Sequence, residues 1–376
     1  MSLVLYKKSI LKKTAEVGGS TLLSRLLGLA RVVLLMRYLG ADEKSDAFLT
    51  AFMIPNSLRK VFAEGALTAT FVPTLVKEFR KGGYERANSL MTISFLAFEG
   101  TVLALCALIM YQAPAVISFL APGFSAEQLA YTIPYLRILM TFIFFISSSA
   151  LLAGALQSVN HFLVPAISPV LLNIVFITAL IVCLVYGLPV EYLCLFVLFG
   201  GFLQFMLHIA MYMNLGFSFA GITEQTKEIF WGVLTRFLPC LYGVSIMEVN
   251  LIVDSRFASY FHAGSVTLIQ YANRFMGIPL GVFAAAFATV LLPHFSRIST
   301  YAPQRLSFYL FETSKLIFWV TIPAALVMGF FSSDIYTTST INALTITTNQ
   351  YVGIGTNSPS QYFSVASTTY IAGGLG

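Results

Sequence analysis

Residues 161–187 read HFLVPAISPVLLNIVFITALIVCLVYG, a run with no Asp, Glu, Lys or Arg. At 1.5 Å per residue in a helix, such a run is long enough to cross a hydrocarbon core about 30 Å thick. A second run, 190–215, follows after a short break at Gly187-Leu188-Pro189, with Glu191 as its one charge. Two spans joined by so few residues form an antiparallel pair of membrane helices. The whole chain carries the same character. Hydrophobic residues make up 57% of its 376 positions and charged residues 10%, with a mean hydropathy of +0.82. Soluble domains carry about 25% charged residues, so this chain cannot coat a water-facing surface, and lipid has to be its solvent.

Working outward, nine helices are expected, at about 14–39, 46–76, 88–120, 128–157, 161–187, 190–215, 228–260, 265–298 and 308–331. Several carry internal prolines, including Pro55, Pro134, Pro169, Pro239 and Pro279; membrane helices accept these where neighbours satisfy the freed carbonyls. The first span follows Lys7, Lys8, Lys12 and Lys13 and lacks a small-residue cleavage site, so it is expected to stay. With the N-terminus in the cytoplasm, the inside segments hold those lysines, then Lys77, Arg80, Lys81 and Arg86, and later Lys227, Arg297, Arg305 and Lys315. The outside loops hold only Lys44, beside Asp42, Glu43 and Asp46. This is the asymmetry of the positive-inside rule, and one missed span would scramble it. An internal echo links Val61-Phe62-Ala63 through Pro73 with Val282-Phe283-Ala284 through Pro293. These stretches lie six spans apart, as in a parallel repeat of six-helix lobes. The expected organisation is a first lobe over 1–218, part of a second over 219–331, and a Ser/Thr-rich tail over 332–376. The tail has short alternating stretches, and Tyr351–Pro359 resembles a motif of phage tail-fibre and bacterial surface proteins. It reads as β-like and foreign to the rest, so the chain is expected to be a fusion or a shortened form.

Chemistry is scarce. Cys106, Cys183, Cys194 and Cys240 lie in apolar runs without a CxxC pair, and the four histidines show no ligand spacing. No metal site, cofactor or nucleic-acid partner is expected. No nucleophile elbow, Walker loop, HExxH or carboxylate dyad is present, so the chain does not read as an enzyme. The informative residues are charges inside spans: Arg25, Arg31, Arg59, Lys60, Arg137, Arg236 and Arg274, with Arg37 and Arg256 nearer the outer ends. An arginine at mid-bilayer costs about 2.5–3.5 kcal/mol on insertion scales, so several together are expected to line a wet cavity or pair with acids. The acids within spans, Glu64, Glu99, Glu248 and Asp254, are too few to absorb them. The surplus implies an anionic substrate, and the guanidinium fork matches phosphate oxygens. Ser24, Gly28 and Arg31 share one face of the first helix, with Arg25 about 120° away. Asn56, Lys60 and Glu64 repeat every four residues in the second. Asp254 is a candidate ligand of a coupling cation, an ion pair with a nearby arginine being the alternative.

Four stretches carry a resemblance. Ser24-Arg25-Leu26-Leu27-Gly28-Leu29-Ala30-Arg31 is similar to the first-helix motif of the MurJ (MviN) lipid II flippases of the MOP exporter superfamily. Pro55-Asn56-Ser57-Leu58-Arg59-Lys60-Val61-Phe62-Ala63-Glu64-Gly65-Ala66 is the most specific match. Tyr271-Ala272-Asn273-Arg274, with Ala121-Pro122-Gly123-Phe124 in an outer loop, extends it over about residues 10–331. The resemblance implies MATE-like six-helix lobes around a cationic cavity, the first complete and the second partial, in the bacterial inner membrane. It implies alternating access driven by a coupling ion or membrane potential, with lipid II, a lipid-linked pyrophosphate precursor of peptidoglycan, as partner. Arg25, Arg31, Arg59 and Arg274 would bind its head, and Asp46, Asn56 and Glu64 would shape the cavity or its gate. Members often carry an acid after the second arginine and an Asp before the eighth-helix arginine; here stand Val32 and Asn273, which make the cavity more positive. The family has fourteen helices against the nine read here. The alternatives are another exporter of the superfamily, for a polysaccharide-lipid or a drug, or a shortened chain that does not transport.

Overall fold

The computed structural model describes residues 2–60, 67–279 and 306–330, and three short strands between 344 and 365. The helices are α1 (Ser2–Leu39), α2 (Glu43–Leu58), α3 (Leu67–Tyr111), α4 (Ala113–Leu120), α5 (Ala126–Ser158), α6 (Leu163–Tyr186), α7 (Val190–Asn214), α8 (Glu224–Ala258), α9 (Ser265–Pro279) and α10 (Leu306–Phe330). Six stretches among the described residues are long and apolar enough to span a bilayer: Gly18–Leu39, Thr70–Tyr111, Ala126–Ser158, Leu163–Tyr186, Val190–Asn214 and Glu224–Ala258. The chain is an all-α polytopic membrane protein. The expected second and eighth helices run into residues 61–66 and 280–305, as does most of the internal echo, and these parts lie outside the described residues.

Two expectations about helix limits are corrected. The helix read at 88–120 is interrupted at Gln112, where α3 ends and α4 begins with Pro114 in its first turn. Proline lacks the N–H the preceding turn would need, and its ring crowds the carbonyl four residues back. The segment read as a loop at 77–87 is helical apart from Gly82 and Gly83, which break α3 into two helices. Gly83 has φ 60° and ψ −147°, a conformation essentially confined to glycine.

The described residues form two compact units divided after Thr267. In the first, α5 is the central helix, packing against α2, α3 and α7, while α1 packs on α6 and α6 on α7. Within the most apolar window of each span, 67% of α5 is buried but 11% of α1, so α5 is enclosed by protein and α1 is peripheral. Glycines let backbones approach, as in other membrane bundles. A Cβ at Gly201 of α7 would overlap the Phe142 ring of α5, and one at Gly200 would press on Leu172 and Val175 of α6. On α6, Phe176, Ala179, Leu180 and Cys183 are buried, while Ile174, Ile181 and Val185 are exposed. An apolar stripe facing outward is what lipid solvation requires.

Loop contacts obey the alternation expected from the basic residues. The α1–α2 turn meets residues 264–267 at the start of α9. The α4–α5 loop meets Ser259 at the end of α8, and Tyr38 at the end of α1 donates to the Leu188 carbonyl. At the other end, Asn88 and Ser89 bond to Ser218 and the Gly221 carbonyl of the α7–α8 connection. Every contact joins segments assigned to the same side.

The second unit contains most of α9, α10 and three strands, β1 (Leu344–Ile346), β2 (Val352–Ile354) and β3 (Phe363–Val365), paired in the order β1-β2-β3. β1 and β2 are antiparallel, β2 and β3 parallel.

Candidate functional site

Two features of the first unit stand out: a set of polar contacts at the end expected to face outward, and a basic tier one step along the helices from it. The outer closure starts at the α1–α2 turn. Asp42 and Ser45 form a reciprocal capping box that fixes the entry of α2. One turn on, the buried Asp46 carboxylate leaves its own helix. Its Oδ2 accepts from the Gly264 N–H at 2.7 Å, and its Oδ1 from the Thr267 N–H at 2.8 Å and the Thr267 hydroxyl at 2.6 Å. The first N–H groups of a helix have no partner within it, so Asp46 caps α9 from α2, with the charge placed where the helix dipole favours an anion. Ser45 Oγ and Thr267 Oγ1 share a further bond at 2.9 Å. Gly264 has φ +90°, and a Cβ there would lie 2.5 Å from the Ala41 carbonyl oxygen, so only glycine fits. Alongside, Gly123 donates its N–H to Ser259 Oγ at 3.3 Å, and any Cβ would overlap the Ser259 carbonyl. Arg256 donates to the Phe119 carbonyl and lies 4.8 Å over the Phe119 ring.

Below this closure, α2 meets α8 through polar pairs. Ser57 Oγ donates to Glu248 Oε2 at 2.7 Å and Lys60 Nζ to Glu248 Oε1 at 2.9 Å, while Ser255 Oγ lies 3.3 Å from Met53 Sδ. Glu248 and Ser255 are seven apart on α8, hence on one face. A seam of hydroxyl, carboxylate and ammonium groups loses less on opening to water than interlocked apolar side chains do, since water replaces the bonds.

The basic tier centres on one turn of α6. Asn173 Nδ2 donates to the carbonyl and hydroxyl of Ser24 at 3.0 and 3.2 Å, which registers α1 against α6. Arg31 lies on the same face of α1 and sits 4.9 Å over the Phe176 ring. Arg25, next to Ser24, is exposed. Arg59 stands where α2 widens into a π turn and is oriented by Asn56 Oδ1, which accepts from Nη2 at 3.0 Å and Nε at 3.4 Å. It lines a cavity of about 240 Å³ with Gln157 of α5, Ser168 and Leu172 of α6, and Gln204 and His208 of α7. The structure thus brings Arg31 and Arg59 to the Leu172–Phe176 stretch, while Arg25 is exposed. Arg274 lies on α9 in the second unit. Glu64 lies outside the described residues. Asp254 is half-buried on α8, and among the described residues it forms no ion pair and belongs to no group able to hold a metal. Arg137 and Arg236 bond to backbone carbonyls, of Met110 and Gly232, outside this tier.

A profile of the family described as Lipid II flippase MurJ matches residues 35–342. The chain belongs to this family. It is 31% identical over 339 residues to a protein from Rhizobium tropici named probable lipid II flippase MurJ, covering 87% of this chain and 63% of that one. It is 31% identical over 344 residues to the lipid II flippase MurJ of Burkholderia cenocepacia, covering 88% and 66%. This MurJ-family chain therefore spans a little under two thirds of the length of these relatives. A solved structure described as lipid II flippase MurJ in an inward closed conformation superposes with TM-score 0.70 at 29% identity, over 85% of this chain and 66% of that one. An inward-facing multidrug transporter of the MATE family superposes at 0.65 with 15% identity, a likeness of fold alone. The partners Gly264, Thr267, Ser57 and Glu248 were not singled out from sequence as site residues. Their one local signal is the seven-residue spacing of Glu248 and Ser255.

Proposed function

We propose that this chain carries lipid II from the cytoplasmic to the periplasmic leaflet of the bacterial inner membrane by alternating access, with its N-terminus in the cytoplasm. The observation that carries the reading is the set of guanidinium groups from α1 and α2 held at one stretch of α6, behind an outer end sealed by Asp46. A pyrophosphate head entering from the inside finds Arg31 and Arg59, with Arg25 on the same helix as Arg31. Asn56 aims Arg59, and Asp46 holds the gate. Binding two phosphates among like-charged guanidiniums removes their mutual repulsion, so the loaded carrier closes where the empty one resists. Energy needs no nucleotide. A membrane potential is worth about 2.3 kcal/mol per charge per 100 mV, and an inside-negative potential drives an anion outward. Asp254 is the candidate ligand for a coupling cation.

The test is reconstitution of the full chain in liposomes with fluorescent lipid II in the inner leaflet equivalent. Wild type should expose the lipid outside. Arg31→Ala should slow this about tenfold or more, the loss of one charge-assisted contact of about 1.5–3 kcal/mol. Wild-type chain that inserts and folds but moves no lipid II, or an Arg31→Ala variant as fast as wild type, overturns the reading.

A further inference from the structure

Away from the gate and the basic tier, one buried ionisable side chain has no counter-charge. Glu99 lies in the second half of α3, fifteen residues past Tyr84, about 22 Å along the helix. Its residue is 3% exposed. Ser147 of α5 donates its hydroxyl to Oε2 at 2.7 Å. Oε1 is buried, and the fully buried Ser148 hydroxyl adjoins the same carboxyl. The carboxyl thus lies deep between two spanning helices with hydroxyl groups as its polar neighbours.

No described neighbour supplies a positive charge. On α3 the nearest titratable group is Cys106, two turns on, whose thiol faces the Met140 carbonyl. Glu78, at the far inner end of α3, is already engaged by Lys81 and Arg86. From α5 come Ser147 and Ser148; Arg137 is ten residues toward the outer end, exposed and bound to the Met110 carbonyl. From α8, the residues against this part of α3 are Phe230 and Phe237, while Arg236 is exposed and bonds to the Gly232 carbonyl of its own helix. A carboxylate buried here without a counter-ion would cost several kcal/mol.

We propose that Glu99 is a proton-binding site of the first lobe, held as a neutral carboxylic acid between α3 and α5. Loading forms an O–H bond at Oε1 as a water O–H bond breaks, its electron pair staying on that water's oxygen. The new O–H donates to Ser148 Oγ while Ser147 keeps donating to Oε2, so the neutral acid is held by both hydroxyls. The site also adjoins α8 through its neighbour in sequence. Phe98, the preceding residue, packs on the rings of Phe230 and Phe237 of α8 at 5.9 and 4.9 Å. Removing the proton places a bare charge beside this aromatic seam and favours a shift of α3 against α8. Calling it a coupling site rests on the carrier reading above; the proton site itself does not.

The experiment is infrared spectroscopy of the full chain in lipid nanodiscs. Wild type at neutral pH should show the carbonyl band of a protonated carboxylic acid, lost as pH rises and absent in Glu99→Gln. In Ser147→Ala the band should move to higher frequency, because its carbonyl loses a donor. This shift and the wild-type titration decide the matter even if Glu99→Gln does not fold. No such band in wild type, a band that persists in folded Glu99→Gln, or a band abolished by sodium or potassium at constant pH each overturns the proposal, the last by making it a metal-cation site. These outcomes do not depend on whether lipid II is moved.

Discussion

Asp46 concentrates the contact between α2 and the start of α9 in one side chain. Its two oxygens accept three hydrogen bonds from a helix more than two hundred residues away in sequence. Asp46→Asn keeps the shape but presents an amide donor to at least one N–H or hydroxyl donor, and removes the charge facing the α9 N-terminus. The expected cost is about 2 kcal/mol, which reads as roughly a thirtyfold shift away from the closed outer end. A cysteine placed at Gly264's neighbour Ala263 and probed with a membrane-impermeant thiol reagent should label correspondingly faster in the Asn background; equal rates would show that the carboxylate does not hold the gate. Much of this was half-visible in the sequence. An arginine in a span is legible because lipid will not solvate it; Arg31 lies over Phe176 and Arg59 lines a cavity with Leu172, both on α6. Asp46 was legible as a gate residue only through resemblance. Gly264 and Thr267 were not, because a hydrogen bond across that many positions leaves no local pattern. Glu99 was counted only as one of the acids available for pairing; its bond from the Ser147 hydroxyl joins positions 48 apart and leaves no local pattern.

At the scale of elements, hydropathy located the described helices well because the solvent itself imposes the pattern. It erred where backbone chemistry, not polarity, ends a helix. Pro114 divides α3 from α4 within an apolar run, and Gly82-Gly83 turns the chain inside a stretch whose charges suggested a longer loop. The charges there have structural duties instead: buried Glu78 holds Lys81 at 3.5 Å and Arg86 at 3.7 Å across the turn. Gly83→Ala forces a Cβ into a φ/ψ region it cannot occupy and should destabilise the inner end by about 1–3 kcal/mol. Because the strain is local, the readout is limited proteolysis in detergent: cleavage near residue 83 should rise severalfold, with far-ultraviolet circular dichroism unchanged. Unaltered cleavage would mean that the turn relaxes into another conformation at no cost.

For the molecule as a whole, the question is whether the outer closure is one state of a cycle or a permanent weld. The contacts argue for a cycle. The seam between α2 and the α8–α9 segment is made of hydroxyls, carboxylates and an ammonium, which water can replace, whereas α5 is locked to α2, α3 and α7 by close apolar packing and small residues. Opening should therefore run along the polar seam and leave the first bundle intact. Ser45 and Thr267 provide the test, since their hydroxyl oxygens are 2.9 Å apart and a pair of cysteines there can reach disulfide geometry with small adjustment. The native cysteines lie apart from this seam; Cys106, Cys183 and Cys194 are buried and Cys240 half-buried, and each is replaced by Ala or Ser beforehand. Ser45→Cys with Thr267→Cys should cross-link under mild oxidant and freeze the outer end shut. Translocation of lipid II should then stop and return on adding reductant, while the single cysteine variants work in both conditions. Binding of lipid II to the cross-linked protein should survive, because the basic tier lies on the inner side of the lock. Full translocation through a completely cross-linked gate would mean that substrate leaves by another route, and that the closure at Asp46 is scaffolding and not a gate.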